Sequence, residues 1–544
     1  MGILQTKLIS SLEKVFPDEE PQAPERARGS ALRNERFSFQ LAYRWRGPET
    51  TGVAVKAESP LNISVREVGL VPSGLPCYPD RDAFVLRASP GPYPDPLLPP
   101  GEEGLTLKDG PWRSLWVSAD GDGGCGAGVF PIDLSFTSAS GGLLAERRFT
   151  LEIVDAELPA QTLKHTEWLH TDCILDRYGT DVFSEKYWDL VGRYLKTYAE
   201  YGMNMLLTPL FTPPLDTREG GERPTVQLVD VTKRGGGYEF GFSRLDRWLS
   251  LMEKCGIPYV EFPHLFTQWG AKHAPKIMGI ENGVEKRLFG WETDASGEEY
   301  GSFLKSFLPA LRAYADRKGI SGRCSYHISD EPDAEGIESY RRARSLVERP
   351  LTGCSVMDAL SDYDYYREGL VDIPVCATSA AGRFLHEKVP RLWAYYCCNQ
   401  YRNGLSNRFF CMPGLRTRVL GVQLYRLGVE GFLHWGFNFW NTRLSVSSVD
   451  PYRVTDAGGA YPSGDAFVVY PGGDGPVVSL RLELLNEGMQ DARALALLER
   501  KIGRDAVIRL LERGGPLTFE SYPHEAGWLL DLREEINRGV ARRS

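Results

Sequence analysis

The chain has no run approaching the ~18 consecutive apolar residues of a membrane-spanning helix, so no span is expected. It also lacks a basic excess. Its 544 residues hold 63 Lys and Arg against 72 Asp and Glu, a net charge of −9. The positive stripe that a phosphate backbone demands is therefore missing, and neither nucleic acid nor membrane is expected as a partner. The opening MGILQTKLISSLEKVFPDEEPQ has no apolar segment of secretion-signal length. Gly2 and Thr6 fit the bare acylation pattern, but no polybasic patch supports them. Eight histidines form no HExxH, ten cysteines form no CxxC, and no GxGxxG follows the first strand of the α/β region. These absences argue against a metal centre, a disulfide framework and a dinucleotide fold, so no cofactor and no metal are expected. The cysteines stand at 77, 125, 173, 255, 324, 354, 376, 397, 398 and 411. Cys324, Cys354, Cys376 and Cys397 fall in strand-like runs, where a thiol serves as a small apolar filler. A reduced, cytoplasmic protein is the expectation.

What is present is the balance of a chain able to bury a large core, 42% hydrophobic and 25% charged, and long enough for two or three domains. Residues 30 to about 158 carry short β-like runs (RFSFQLAY, GVAVKA, ISVREVGLV, RSLWVSA, AGVFPIDLSF, RRFTLEIV) split by Gly, Pro and Asp. That rhythm predicts a β-sandwich over 1–158, with the proline-rich stretch 88–104 wrapping the surface and ELPAQTL (157–163) leading out. From 159 to 544 the phrase changes to helix, glycine, strand, as in SEKYWDLVGRYLKTYAEYG followed by MNMLLT. A left-handed glycine ends each helix of such βα units. Eight strands are expected: 165–171, 203–208, 258–263, 323–329, 351–357, 371–377, 391–397 and 431–437. Eight units over ~350 residues suit a (β/α)8 TIM barrel followed by a helical tail. The helices after strands five and six are poorly marked, and a doubly wound sheet is the competing arrangement.

Reactive groups of such barrels sit at the C-terminal ends of strands. There the sequence places Trp168, His170 and Asp172 after strand one; His264, Gln268 and Trp269 after strand three; and Asp330 and Glu331 after strand four. Strand seven supplies Trp393, Tyr395 and Asn399, and strand eight His434, Trp435, Asn438 and Trp440. Indoles stack on the apolar faces of sugars while polar side chains pair with hydroxyls, so this set around two acids describes a glycan site. The adjacent acids have a second explanation, since a helix is expected from about Asp333 and carboxylates favour its positive end. Cys398 could be a nucleophile, but no His–Asn partnership accompanies it in the sequence.

Four segments, RNERFSFQL (33–41), YHISDEP (326–332), FLHWGFNFW (432–440) and VVYPGGDGPVVSLRLELLNEGMQD (468–491), stand in an order that resembles glycoside hydrolase family 123. One departure lies in the last segment, where the family's arginine-glutamate-glycine and aspartate-tyrosine-glutamate stand as Asn486-Glu487-Gly488 and Asp491-Ala492-Arg493, which bears on helix packing. The resemblance implies a β-sandwich ahead of a (β/α)8 barrel and an exo-acting, retaining β-N-acetylgalactosaminidase using substrate-assisted catalysis. In that scheme Asp330 orients the 2-acetamido group and Glu331 is the general acid/base. The alternatives are a related glycosidase of other sugar specificity and a non-catalytic sugar-binding barrel.

Overall fold

The computed structural model describes residues 2–120, 126–332 and 334–541, so Cys125 and the expected helix start at Asp333 lie outside the described residues. The N-terminal part is two five-stranded sheets packed face to face. One runs Ile3–Ser10, Arg36–Arg46, Trp112–Asp120, Asn62–Ser73, Gly91–Leu98; the other Arg28–Arg33, Leu143–Glu157, Gly128–Thr137, Thr50–Glu58, Leu105–Leu107. Alternation decides which face is inside: Ile132, Leu134 and Phe136 of one strand and Phe149, Leu151 and Ile153 of its neighbour are all buried. They meet Phe39, Leu41, Val117 and Ala119 of the first sheet, with Phe39 and Phe149 stacked at 4.0 Å. Six runs were legible as strands; the sheets contain ten.

The proline-rich stretch departs from expectation. Gly91–Leu98 is an edge strand, and Tyr93, Pro94, Asp95, Pro96 and Leu97 are buried rather than wrapped on the surface. Proline lacks the N–H of a central ladder but is tolerated at an edge, and here the barrel covers that edge. Pro96 bridges to Ser479, which caps the long helix Leu480–Ile502.

The C-terminal part is a parallel barrel of Lys164–Glu167, Met205–Leu207, Tyr259–Phe262, Cys324–Tyr326, Ser355–Leu360, Ile373–Ala377, Trp393–Tyr395 and Gly431–His434. Each expected strand is found. The fifth begins later because residues 351–354 form a turn, so Cys354 lies before the strand, and Cys397 lies just beyond the seventh. Strands one and two are joined through Asn204, whose Oδ1 accepts from His165 N at 2.8 Å and whose N donates to His165 O at 3.0 Å. Met205, Leu207, Met357, Val375, Trp393 and Leu433 fill the interior. Gly431 is required there, since a Cβ would stand 2.2 Å from the Trp393 indole.

Helix Glu185–Glu200 is capped by Ser184 and buries Tyr187, Trp188, Val191, Tyr194, Leu195 and Tyr198 along one stripe. Helices Ser243–Cys255 and Leu420–Leu427 end on left-handed Gly256 and Gly428. After strands five and six the helices shrink to Asp364–Arg367 and Ala381–His386, which is why their periodicity was weak. A four-stranded sheet inserted between strands two and four (Asp230–Arg234, Gly237–Gly241, Ile277–Glu281, Val284–Phe289) had no counterpart in the sequence reading. Among the described residues no helix is long and apolar enough to cross a membrane.

The helix Leu480–Ile502 joins the two parts. Arg481 grips Asp95 with two 2.8 Å bonds, and Arg418 holds Glu487 at 2.6 Å and Asp491 at 2.7 Å. Gly488 lets the helix Leu420–Leu427 pass at backbone distance: a Cβ on Gly421 would come within 1.7 Å of Gly488 O. These packing residues, Glu487, Gly488 and Asp491, keep the family's pattern; of the departing positions, Arg493 donates to Pro159 O at 2.6 Å.

Candidate active site

At the C-terminal end of the barrel lies a cavity of about 390 Å³, within the range of small-molecule sites. Asp330 and Glu331 line it together with Trp168, Gln268, Trp269, Tyr395, Asn399 and Trp435. Eight of the fifteen residues singled out in the sequence thus converge on one hollow.

The acid pair is held by backbone and by neighbours. Strand four ends at Tyr326, and Glu331 takes a left-handed φ of 41°, uncommon for a residue with a Cβ. Asp216 (φ 38°) and Trp269 (φ 57°), on the same wall, share this conformation, so strain gathers around the hollow. The Tyr395 hydroxyl donates to Glu331 Oε1 at 2.8 Å, and the Trp269 N–H donates to the Asp330 carbonyl at 3.0 Å. Burial raises the Asp330 carboxyl well above the usual range, and the Glu331 charge adds to it. Burial also raises Glu331, against the Tyr395 hydrogen bond, which favours its ionised form. The two titrate as a unit. The following helix starts only at Ile337, after the turn Ala334–Gly336.

Beneath the cavity a buried network steadies the floor. Trp168 Nε1 donates to Glu261 at 2.7 Å; His327 bridges Glu261 at 2.8 Å and Asp358 at 2.9 Å. Burial opposes charge on His327, but its two carboxylates outweigh that and raise it to about 10. Asp358 also accepts from the backbone N–H of Ile328, just ahead of the acid pair. His264, His327 and Asp358 come close enough to suggest a metal site. His327, however, holds protons on both nitrogens where a metal needs a lone pair, so this donor set does not fit one.

Seven expected contacts stand outside the cavity wall. His264 lies under Trp168, stacked on His327 at 4.3 Å, held neutral by burial and the His327 charge. Arg223 binds Asp172 at 2.7 and 2.8 Å and donates to His170 Nδ1 at 3.0 Å, while His170 Nε2 bonds Trp435 O at 2.9 Å. Burial and Arg223 lower His170 to about 4, so it is neutral. Asn438 pins the His170 backbone through both its amide atoms, at 2.8 and 3.0 Å. His434 accepts from Arg408 at 2.6 Å. Trp440 donates to Val469 O at 3.1 Å, and Trp393 fills the barrel interior. Apart from His264, whose two buried ring nitrogens make no hydrogen bond among the described residues, each of these is committed to protein partners or core, and their place is one of support.

The sequence reading missed Tyr78, which reaches the cavity from the N-terminal part, and Asp216, Arg443 and Tyr461 from long loops. Asp216 accepts from Tyr461 Oη at 2.9 Å and from Leu444 N at 3.1 Å, so both its oxygens are engaged. Its own N–H donates to Gln268 Oε1 at 2.7 Å, which turns the buried and otherwise unpartnered Gln268 Nε2 into a donor for a ligand. Trp269 stands at the rim, 47% exposed, as a stacking platform.

A family model described as "Glycoside hydrolase 123, catalytic domain" matches residues 168–498, more than half of the chain. No curated protein matches. Among solved structures, a family 123 glycoside hydrolase from Clostridium perfringens, described in terms of glycolipid glycan hydrolysis, superposes with a TM-score of 0.74. That match has 15% identity and covers 99% of this chain and 97% of the other. An endo-beta-1,4-mannanase from Thermotoga petrophila matches at 13% identity over 62% of this chain and 77% of its own, with a TM-score of only 0.34.

Proposed function

The chain belongs to glycoside hydrolase family 123 and is a glycoside hydrolase, and we propose that it removes terminal β-N-acetylgalactosamine with retention by substrate-assisted catalysis. The observation that carries this is the disposition of the cavity acids. Asp330 and Glu331 are neighbours in sequence, and Asp216, the other carboxylate on the wall among the described residues, has both oxygens engaged. A retaining hydrolase without a free enzymic nucleophile needs one from the substrate, and the 2-acetamido oxygen supplies it.

The acetamido oxygen attacks C1 while Glu331 gives its proton to the departing glycosidic oxygen. Asp330 accepts from the acetamide N–H and balances the charge of the oxazolinium. Glu331 then takes a proton from the water that opens the ring. Burial and Glu331 favour protonated Asp330; a bound acetamide and the developing cation favour its ionised form. The raised Glu331 stays loaded at a higher pH than a solvated acid. Tyr395 keeps its carboxyl aimed. The glycolipid glycans of the Clostridium perfringens relative's description are a sensible first class of natural substrate to try.

The test compares aryl β-GalNAc with aryl β-galactoside, following the anomer released. Loss of an oriented intramolecular nucleophile forfeits an effective molarity of ~10⁵ M or more, so the galactoside should be nearly inert and the GalNAc product should retain its β configuration. Comparable turnover of both sugars would return the acids to an ordinary acid–nucleophile or acid–base role.

A further inference from the structure

The cavity wall carries a feature that hydrolysis does not use. Just beyond the seventh barrel strand, Cys397 and Cys398 both line the hollow. The chain turns there: Gln400 N donates to Cys397 O at 3.3 Å, and Gln400 Oε1 accepts from Cys397 N at 2.8 Å. The turn brings adjacent side chains to one side, where extended backbone would send them apart. Cys397 Sγ lies 4.0 Å from Glu331 Oε1, Cys398 Sγ lies 3.8 Å from Asn399 Oδ1, and Cys398 is half-buried at the surface of the hollow. Both are free thiols.

We propose that Cys397 and Cys398 form a vicinal dithiol site for soft, thiophilic Lewis acids, trivalent arsenic being the case that requires two sulfurs, and that its occupation blocks the cavity beside Glu331. The blockade rests on the assignment of this cavity as the active site; the capture does not. With phenylarsine oxide, each thiol transfers its proton to the oxide oxygen and forms one As–S bond. The As=O bond is replaced by two As–S bonds, one water leaves, and arsenic stays trivalent. Chelation by a second tethered thiol strengthens binding by ~10²–10⁴-fold over one thiol. The ring product fills the space where the leaving group must meet Glu331.

The experiment treats the full chain with phenylarsine oxide, maps the adduct by peptide mass spectrometry, and measures aryl β-GalNAc turnover relative to each variant's own untreated rate. Expected are one adduct on the peptide holding residues 397–398, inhibition reversed by 2,3-dimercaptopropanol but not by a monothiol, and protection by a thiazoline mimic of the intermediate. Cys398→Ser and Cys397→Ala should each raise the half-inhibitory concentration by about 100-fold or more. No adduct, or one on the buried pair Cys77 and Cys411, overturns the site. An adduct on 397–398 without loss of turnover overturns the blockade. If no β-GalNAc glycoside is cleaved at all, the functional assignment fails, while the mapped adduct still decides the site.

Discussion

Two regions of this molecule bury acids, and they treat them in opposite ways. In the seam between sandwich and barrel nearly every acid meets a guanidinium fork. Arg481 holds Asp95 with paired 2.8 Å bonds, Arg418 holds Asp491 and Glu487, and Arg533 holds Glu35 at 2.6 Å and Asp491 at 3.0 Å. In the cavity, Asp330 meets the Glu331 charge with only the shared His327 to offset it, and Glu331 meets a tyrosine hydroxyl; Arg443, the one arginine on the wall among the described residues, is exposed. Desolvation without a matched cation raises a carboxyl and makes it a proton donor; with bidentate pairing the same desolvation yields a fixed joint. Glu487 marks the boundary, since burial outweighs Arg418 there and pushes its carboxyl up to about 7. Acid type says little; the neighbour's charge says what the acid is for.

The comparison breaks first if the cavity acids prove structural. Glu331→Ala should lower turnover of glycosides with poor leaving groups by about 10²–10⁴-fold while sparing a dinitrophenyl glycoside. Asp330→Asn should be similarly slow on every leaving group and should bind a thiazoline mimic poorly. Neither should lower the thermal midpoint, because each removes like-charge repulsion in a hydrogen-bond-poor site. A Glu331 variant equally slow on good and poor leaving groups, or one that melts early, would put these acids with those of the seam.

The reverse substitution sharpens the contrast. Arg481→Met leaves Asp95 buried without its cation, and breaking one side of a buried pair costs about 3–5 kcal/mol. Chemical denaturation should show that loss, while kcat per folded molecule on aryl β-GalNAc should be unchanged. The double variant Asp95→Asn, Arg481→Met should recover part of it. An unchanged midpoint for the single variant would mean that the seam does not depend on the pairing.

The smallest effect is a shift in pH dependence. The Tyr395 hydroxyl donates to the Glu331 carboxylate and so favours its ionised form. Removing it in Tyr395→Phe should raise the Glu331 pKa further. General-acid activity requires the protonated form, so the alkaline limb of kcat/KM should move to higher pH, with a modest fall in kcat from lost aim. A limb that moves down, or stays, would show that Tyr395 does not set Glu331.

What was legible from residues alone follows from periodicity. Short β-like runs split by Gly, Pro and Asp announced the sandwich, and helix–glycine–strand phrases announced barrel strands two, three, four and eight, because those patterns are local consequences of burying one face. YHISDEP placed the acids at a strand end for the same reason. Periodicity could not tell which strand-end side chains face the cavity. In HWGFNFW the chain leaves the strand and curls, so Trp435 reaches the hollow while His434, Asn438 and Trp440 turn into the framework. The buried proline strand was hidden because its burial comes from a helix almost 400 residues later.

The order of strands, the place of the acid pair and the family to which the chain belongs were therefore determined by the sequence itself, since each depends on contacts within a few residues or on a motif. The tertiary structure alone decided which acids are paired. Tyr78, Asp216, Tyr461 and Arg443 meet at the cavity from separate stretches of the chain, and Arg481 reaches Asp95 across the seam between sandwich and barrel. A carboxyl's proton affinity is set by burial and by charges within a few ångströms, and neither distance is written along the chain.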